Sequence, residues 1–160
     1  MCDYSLHLYP NRLAVDGEEL VVYRFGGTSL GLASRVDIER MERRRGDSRR
    51  LPLWTRLKLF FQAQRELEAR VCAVCIPPGA QLMLRDIPAH LQRELDVSEV
   101  QEVRFVEVTA EAHTYRDAIR FNNGRQVLLQ TLCEGQRVTV MSLDAQSAEE
   151  PEGAELMWTR

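Results

Sequence analysis

The sequence has no Walker loop, no complete dinucleotide fingerprint, no HExxH and no pair of CxxC knuckles. The nucleotide, dinucleotide and zinc-protease chemistries that depend on such motifs have no support in it. It opens without a basic stretch leading into an apolar one, and no run approaches the roughly 18 uninterrupted apolar residues of a membrane span. A cytoplasmic protein without a transmembrane segment is therefore expected. A formal charge of −3 excludes a polycation addressed as a whole to nucleic acid, and no specific nucleic-acid motif is present. Thiols and imidazoles are few, with four cysteines and three histidines. In a chain without a secretory leader, four cysteines point to free or liganding thiols rather than a disulfide framework.

The 160 residues are 44% hydrophobic and 28% charged, which suits one folded domain large enough to bury a core. Charge is unevenly spread along the chain. Residues 35–70 hold eleven basic and six acidic side chains, net +5, so the remainder carries −8. The expected layout is a β-rich domain over 1–143 interrupted by an arginine-rich helical insertion at 35–70. An acidic, mobile tail is expected over 144–160.

Composition marks the elements. Residues 19–25 (ELVVYRF) read as a buried strand closing on Gly26-Gly27, with GGTSLGLAS as a loop too poor in Lys and GxGxxG spacing to hold a phosphate. Leu53, Leu57, Phe60, Gln64 and Leu67 recur at helical spacing and predict an amphipathic helix over a sheet, with the arginine run before it as a solvated loop. Strands are expected at 71–76 and 81–84, and a short helix at 88–95 carrying His90 on its surface. In residues 103–108 (VRFVEV) the apolar alternation slips phase, which a β-bulge at Phe105-Val106 would absorb.

The segment AIRFNNGRQVLLQ allows a test of register. A two-residue Asn123-Gly124 loop puts Ile119 and Phe121 on a face with Gln126, Leu128 and Gln130. A three-residue loop over 122–124 puts them with Val127 and Leu129, and places Gly124 in the left-handed position of a G1 bulge. The second register keeps one face apolar. A two-residue turn at Glu134-Gly135 then extends the pattern, with Val138 opposite Thr131 and Val140 opposite Leu129. The expectation is an antiparallel meander over about 115–143 within an α+β fold: a small antiparallel β-barrel or sandwich carrying one amphipathic helix.

Extending that register sets Tyr115 opposite Thr131 and His113 opposite Cys133, close enough for a thiol and an imidazole to interact or share a metal. Asp117 falls on the same face, unless the strand starts at Ala118. In a catalytic version, His113 lowers the thiol pKa of Cys133 while Tyr115 or Asp117 orients the ring. Removal of Met1 would leave Cys2 as an aminothiol able to chelate, with His7 within reach after a bend. Cys72 and Cys75 point to opposite faces of a continuous strand, and Cys75, next to Pro77-Pro78-Gly79, is the better placed to reach a pocket mouth. The candidate metal ligands are therefore Cys2, His7, Cys75, His113 and Cys133, for zinc, iron or copper.

The opening Met1-Cys2-Asp3-Tyr4-Ser5-Leu6, together with Cys75-Ile76-Pro77-Pro78-Gly79, resembles a group of small bacterial proteins of uncharacterised function. The resemblance implies no activity or ligand, but it favours a role for the N-terminal cysteine. Two functions remain. One is a thiolate/imidazole domain that binds a transition metal or performs thiol chemistry. The other is a non-enzymatic interaction module that docks on an acidic protein or an anionic surface through Arg43, Arg44, Arg45, Arg49, Arg50 and Trp54. An N-terminal-nucleophile hydrolase using Cys2 finds no oxyanion site in the remaining sequence.

Overall fold

A computed structural model describes residue 6 and residues 9–48, 71–109 and 114–144, with the side chains of 44–48 excepted. Its strands are β1 (Asn11–Leu13), β2 (Glu19–Phe25), β3 (Ser29–Ser34), β4 (Ala73–Cys75), β5 (Gln81–Leu84), β6 (Gln101–Glu107), β7 (Asp117–Phe121), β8 (Gln126–Leu128) and β9 (Arg137–Ser142). The helices are α1 (Arg35–Ser48) and α2 (Ala89–Leu95), and a 3₁₀ turn covers Leu129–Thr131. The strands form one sheet in the order β1-β4-β3-β2-β9-β5-β6-β7-β8. The fold is α+β and mostly antiparallel, with β1 and β4 as the parallel pair. The sheet has two free ends, so the barrel alternative gives way to an open sheet or sandwich.

Strand composition explains the layering. Side chains alternate across a strand, and in β2 the even positions Leu20 and Val22 enter the main core while Phe25 enters a second cluster on the opposite face. The main core joins those residues to Leu82 and Leu84 of β5, Val103 and Phe105 of β6, Ile119 and Phe121 of β7, and Val138 and Val140 of β9. Leu91 and Leu95, one turn apart on α2, close over it. The second core consists of Leu6, Phe25, Ala33, Met41, Val71 and Ala73. Sequence 29–34 (SLGLAS), expected as loop, is a fully buried strand, and the turn is confined to 26–28. Its small residues reflect crowding: a Cβ on Gly31 would lie 2.5 Å from Leu6 Cδ1 and 3.1 Å from a Phe25 ring carbon.

The β7–β8 hairpin adopts the three-residue register. Ala118 pairs with Leu128, Ile119 with Val127 and Arg120 with Gln126, and the Phe121 N–H donates to the Arg125 carbonyl at 2.9 Å. Gly124 has φ +85°, the left-handed conformation glycine adopts without a steric penalty. The predicted meander ends there. After Leu128 the chain turns into the 3₁₀ segment, and β9 pairs with β2 and β5, not with β8. Gly135 still turns the chain, at φ +89°, but its N–H donates to the Val22 carbonyl and so leads β9 into the middle of the sheet.

No bulge occurs at Phe105-Val106, because β6 runs in unbroken register against β7 from Val103↔Phe121 to Glu107↔Asp117. Val103 and Phe105 face the core while Val106 is half-buried on the other side, so a single alternation suffices. The irregularity lies between β5 and β9, where Gln81 pairs with Ser142 and Leu82 with Val140. Met141 is the extra residue and is exposed. The arginine run expected as loop begins within α1, whose backbone is helical to Ser48. The predicted amphipathic helix at 53–67 and the tail beyond 144 lie outside the described residues.

Candidate functional site

Strand β4 carries the sulfur chemistry. Cys75 is its last residue, in parallel register with Leu13 of β1, and its carbonyl accepts the Ala14 N–H at 3.0 Å. Cys75 is buried and disulfide-bonded, whereas Cys72, just ahead of the strand, and Cys133 are half-buried free thiols. Cys75 thus departs from the expectation of free or liganding thiols, and in this state it offers no thiolate to a metal.

Beside β4, the Arg12 guanidinium donates through Nη1 and Nη2 to the Glu18 carboxylate. That carboxylate also accepts the Val15 N–H at 3.1 Å. The hydrogen bond to Glu18 is the main cause that raises the Arg12 pKa, with burial opposing it and the negative charges of Glu18 and Asp37 adding to it.

Among the described residues, Tyr115, Thr131 and Cys133 do not take the positions that the extended register required. Cys133 follows the 3₁₀ turn. Its N–H donates to Gln136 Oε1 at 2.6 Å and its carbonyl accepts the Gln136 N–H at 3.2 Å, so a side-chain-braced turn holds it rather than a ladder. β8 stops at Leu128, and Tyr115 is exposed ahead of β7, so neither a Tyr115–Thr131 pair nor a strand position for Cys133 exists. The physical reason is the 3₁₀ segment, which turns Leu129 into the core and carries the chain away from β7. Cys2, His7 and His113 lie outside the described residues. Among the described residues no group of three or more His, Cys, Asp or Glu side chains is arranged to hold a metal ion.

Asp117 opens β7 and is buried, so the strand does not wait for Ala118. Its register partner is Glu107, which sequence reading missed. The signal was available: Glu107 follows Val103 and Phe105 at the period of two, and Asp117 precedes Ile119 and Phe121 in the same way, so both carboxylates fall on the core side at one end of the ladder.

The arginines proposed for an interaction surface fare differently. Arg43 Nη2 lies 3.5 Å from Glu39 Oε2. The other described basic residues of α1 are paired as well, Arg35 with Glu19 and Glu39 and Arg40 with Asp37. Arg44 and Arg45 continue the helix backbone, and Arg49, Arg50 and Trp54 lie outside the described residues. Among the described residues no helix is long and apolar enough to cross a membrane. Comparison of the chain with protein families, curated proteins and solved structures finds no match.

Proposed function

We propose that this chain is a cytoplasmic thiol–disulfide protein whose reactive group is the bond at Cys75. The observation that carries the reading is the division among its cysteines: Cys75 is in a disulfide while Cys72, three positions earlier, is a free thiol. The thiolate form of a cysteine is the species that attacks a disulfide sulfur. In the exchange step an incoming thiolate forms a bond to one sulfur of the disulfide. The S–S bond breaks and the second sulfur leaves as a thiolate that takes a proton from water, so electrons balance without an oxidant. The reaction class is exchange with a low-molecular-weight or protein thiol.

The metal reading would require zinc, iron or copper held among Cys2, His7, Cys75, His113 and Cys133, with Cys75 reduced. The docking reading draws less support, since the described arginines of α1 already face carboxylates of the same chain.

The test is a thiol count on full-length protein trapped with an alkylating reagent at harvest. Two alkylated cysteines before reduction and four after it are expected, with mixed disulfide forming on incubation with reduced glutathione. Four alkylated cysteines from the start, accompanied by stoichiometric metal, would replace this reading with the metal one.

A further inference from the structure

We infer that Asn123 is a site of self-modification, converted through a succinimide to aspartate and isoaspartate when the β7–β8 turn undocks from the C-terminal end of α2, and that the conversion releases that end of the helix. The sequence supplies the chemistry. Asn123 precedes Gly124, whose missing Cβ leaves its amide nitrogen open to approach the side chain before it. In the reaction the Gly124 nitrogen bonds to Asn123 Cγ, its proton goes to the departing Nδ2, and ammonia leaves. Water then opens the cyclic imide at one of its two carbonyls. Opening at the side-chain carbonyl gives aspartate, and opening at the main-chain carbonyl gives isoaspartate, in which the backbone runs through Cβ and Cγ. Neither step needs an oxidant or a reductant.

The folded turn restrains every atom that must move. Asn123 Nδ2 donates to the Leu95 and Asp96 carbonyls at 2.8 Å and 3.2 Å, and its Oδ1 accepts the Arg125 N–H at 3.1 Å. The attacking nitrogen of Gly124 itself donates to the Phe121 carbonyl at 3.0 Å. Arg125 Nη1 adds a bond to the Glu94 carbonyl. Attack requires Cγ to turn toward the Gly124 nitrogen and that nitrogen to give up its proton, so the reaction waits for a local opening that breaks these bonds. Asn123 is exposed, so water meets the imide once it forms.

The product cannot redock in the same way. A carboxylate has no N–H to give to the Leu95 and Asp96 carbonyls, and it faces the negative end of the helix with like charge. Isoaspartate also lengthens the backbone of the loop that sets β7 against β8. Within α2, the Asp96 and Val97 N–H groups both go to the Gln92 carbonyl, which leaves the carbonyls of 94–96 to the turn. Leu95 is 1% exposed in the main core, so freeing this helix end loosens the cover of that core.

The test follows full-length protein incubated at mildly alkaline pH. Arginine digestion, fragmentation that separates Asn122 from Asn123, and isoaspartate-specific methylation locate and count the product. Conversion at Asn123 should be slower by about tenfold or more in the folded protein than in the urea-unfolded chain. Arg125→Ala should raise the folded rate by about threefold or more and leave the unfolded rate unchanged. Equal folded and unfolded rates, or a folded rate that Arg125→Ala does not change, overturn the gate. Product confined to Asn122, or none from the folded protein, overturns the site. The product mimic Asn123→Asp serves where Arg125→Ala does not fold: amide exchange at residues 91–95 should quicken relative to the parent, and unchanged exchange overturns the release.

Discussion

The side-chain amide of Gln130 makes both outward backbone hydrogen bonds of Leu30, accepting the Leu30 N–H at 2.8 Å and donating to the Leu30 carbonyl at 2.6 Å. β4 meets β3 only at Ala33↔Ala73, so nothing in the sheet ladder serves Leu30 on that side. One glutamine supplies what a neighbouring strand would, and it fastens the turn that follows β8 to a strand a hundred residues earlier in the chain. Gln130→Ala leaves a nearly buried N–H and C=O without these partners. A loss of about 1–3 kcal/mol is expected in chemical denaturation. Gln130→Glu should lose more, because a carboxylate cannot donate to the Leu30 carbonyl and faces it with like charge. A Gln130→Glu variant as stable as the parent would contradict this role.

The hairpin turn that fixes the β7–β8 register also ends a helix. Asn123 Nδ2 donates to the Leu95 carbonyl at 2.8 Å and the Asp96 carbonyl at 3.2 Å, and Arg125 Nη1 donates to the Glu94 carbonyl. These are carbonyls that α2 cannot satisfy internally at its C-terminus. Asn123→Ala should cost about 1–2 kcal/mol, with amide exchange accelerated across residues 91–95 as well as in the turn. Acceleration confined to 122–125 would show that the helix end does not depend on the turn.

This double duty shows what the sequence could reveal. The β7–β8 register was legible because Ile119, Phe121, Val127 and Leu129 must share a face and Gly124 must adopt a positive φ. The order of strands was not. Val138 and Val140 suit a place beside β8 as well as one between β2 and β5, and the choice falls to the 3₁₀ turn at Leu129 and to backbone bonds between Val22 and residues 135–136. β3 was hidden by its own packing, since the second core demands Gly31 and Ala33 where strand propensity asks for branched residues. At the candidate site, the place of Cys75 before the Pro77-Pro78-Gly79 turn was legible, whereas its burial to 8% exposure was not. Its bonded state was not, because pairing depends on which segments converge.

Glu107 and Asp117 face each other across the β6–β7 ladder, and the Val108 N–H bonded to the Arg116 carbonyl next to them makes theirs a non-hydrogen-bonded pair, the kind with closer side chains. Like charges directly opposite one another destabilise a sheet. Glu107→Gln should therefore stabilise the protein by about 0.5 kcal/mol near neutral pH, seen as a higher melting temperature. A melting temperature lowered at neutral pH would mean the Glu107 charge is needed.

Stability should also fall with acid for an identifiable reason. Glu18 is held below its ordinary carboxylate pKa first by the Arg12 hydrogen bond and then by the Val15 N–H, with burial opposing both. A carboxylate depressed in the folded state stabilises the protein above its unfolded pKa, and the contribution disappears as pH falls through the lower folded value. Asp86, bonded by Arg137 Nε at 2.6 Å and Nη2 at 2.8 Å, shifts in the same direction on an exposed surface. The half-buried Glu18 pair should contribute about 1 kcal/mol, so Glu18→Gln should lower stability by that amount at pH 7 and flatten its decline below the ordinary carboxylate range. An unchanged acid slope in Glu18→Gln would assign the decline to other carboxylates.

Gly31 and Leu6 offer the sharpest check on the second core. A Cβ at Gly31 meets Leu6 Cδ1 at 2.5 Å, a flexible end that can swing away, and the Phe25 ring at 3.1 Å and 3.3 Å, which the second core holds from both sides. Gly31→Ala should cost about 1–3 kcal/mol through overpacking. Leu6→Ala should cost about 2–4 kcal/mol by removing a buried side chain. Their effects should not add: the methyl group introduced at 31 enters part of the space Leu6 vacates, so the double variant should be more stable than the sum of the singles by about 1 kcal/mol. Additive losses would mean Leu6 does not sit over Gly31 in the second core.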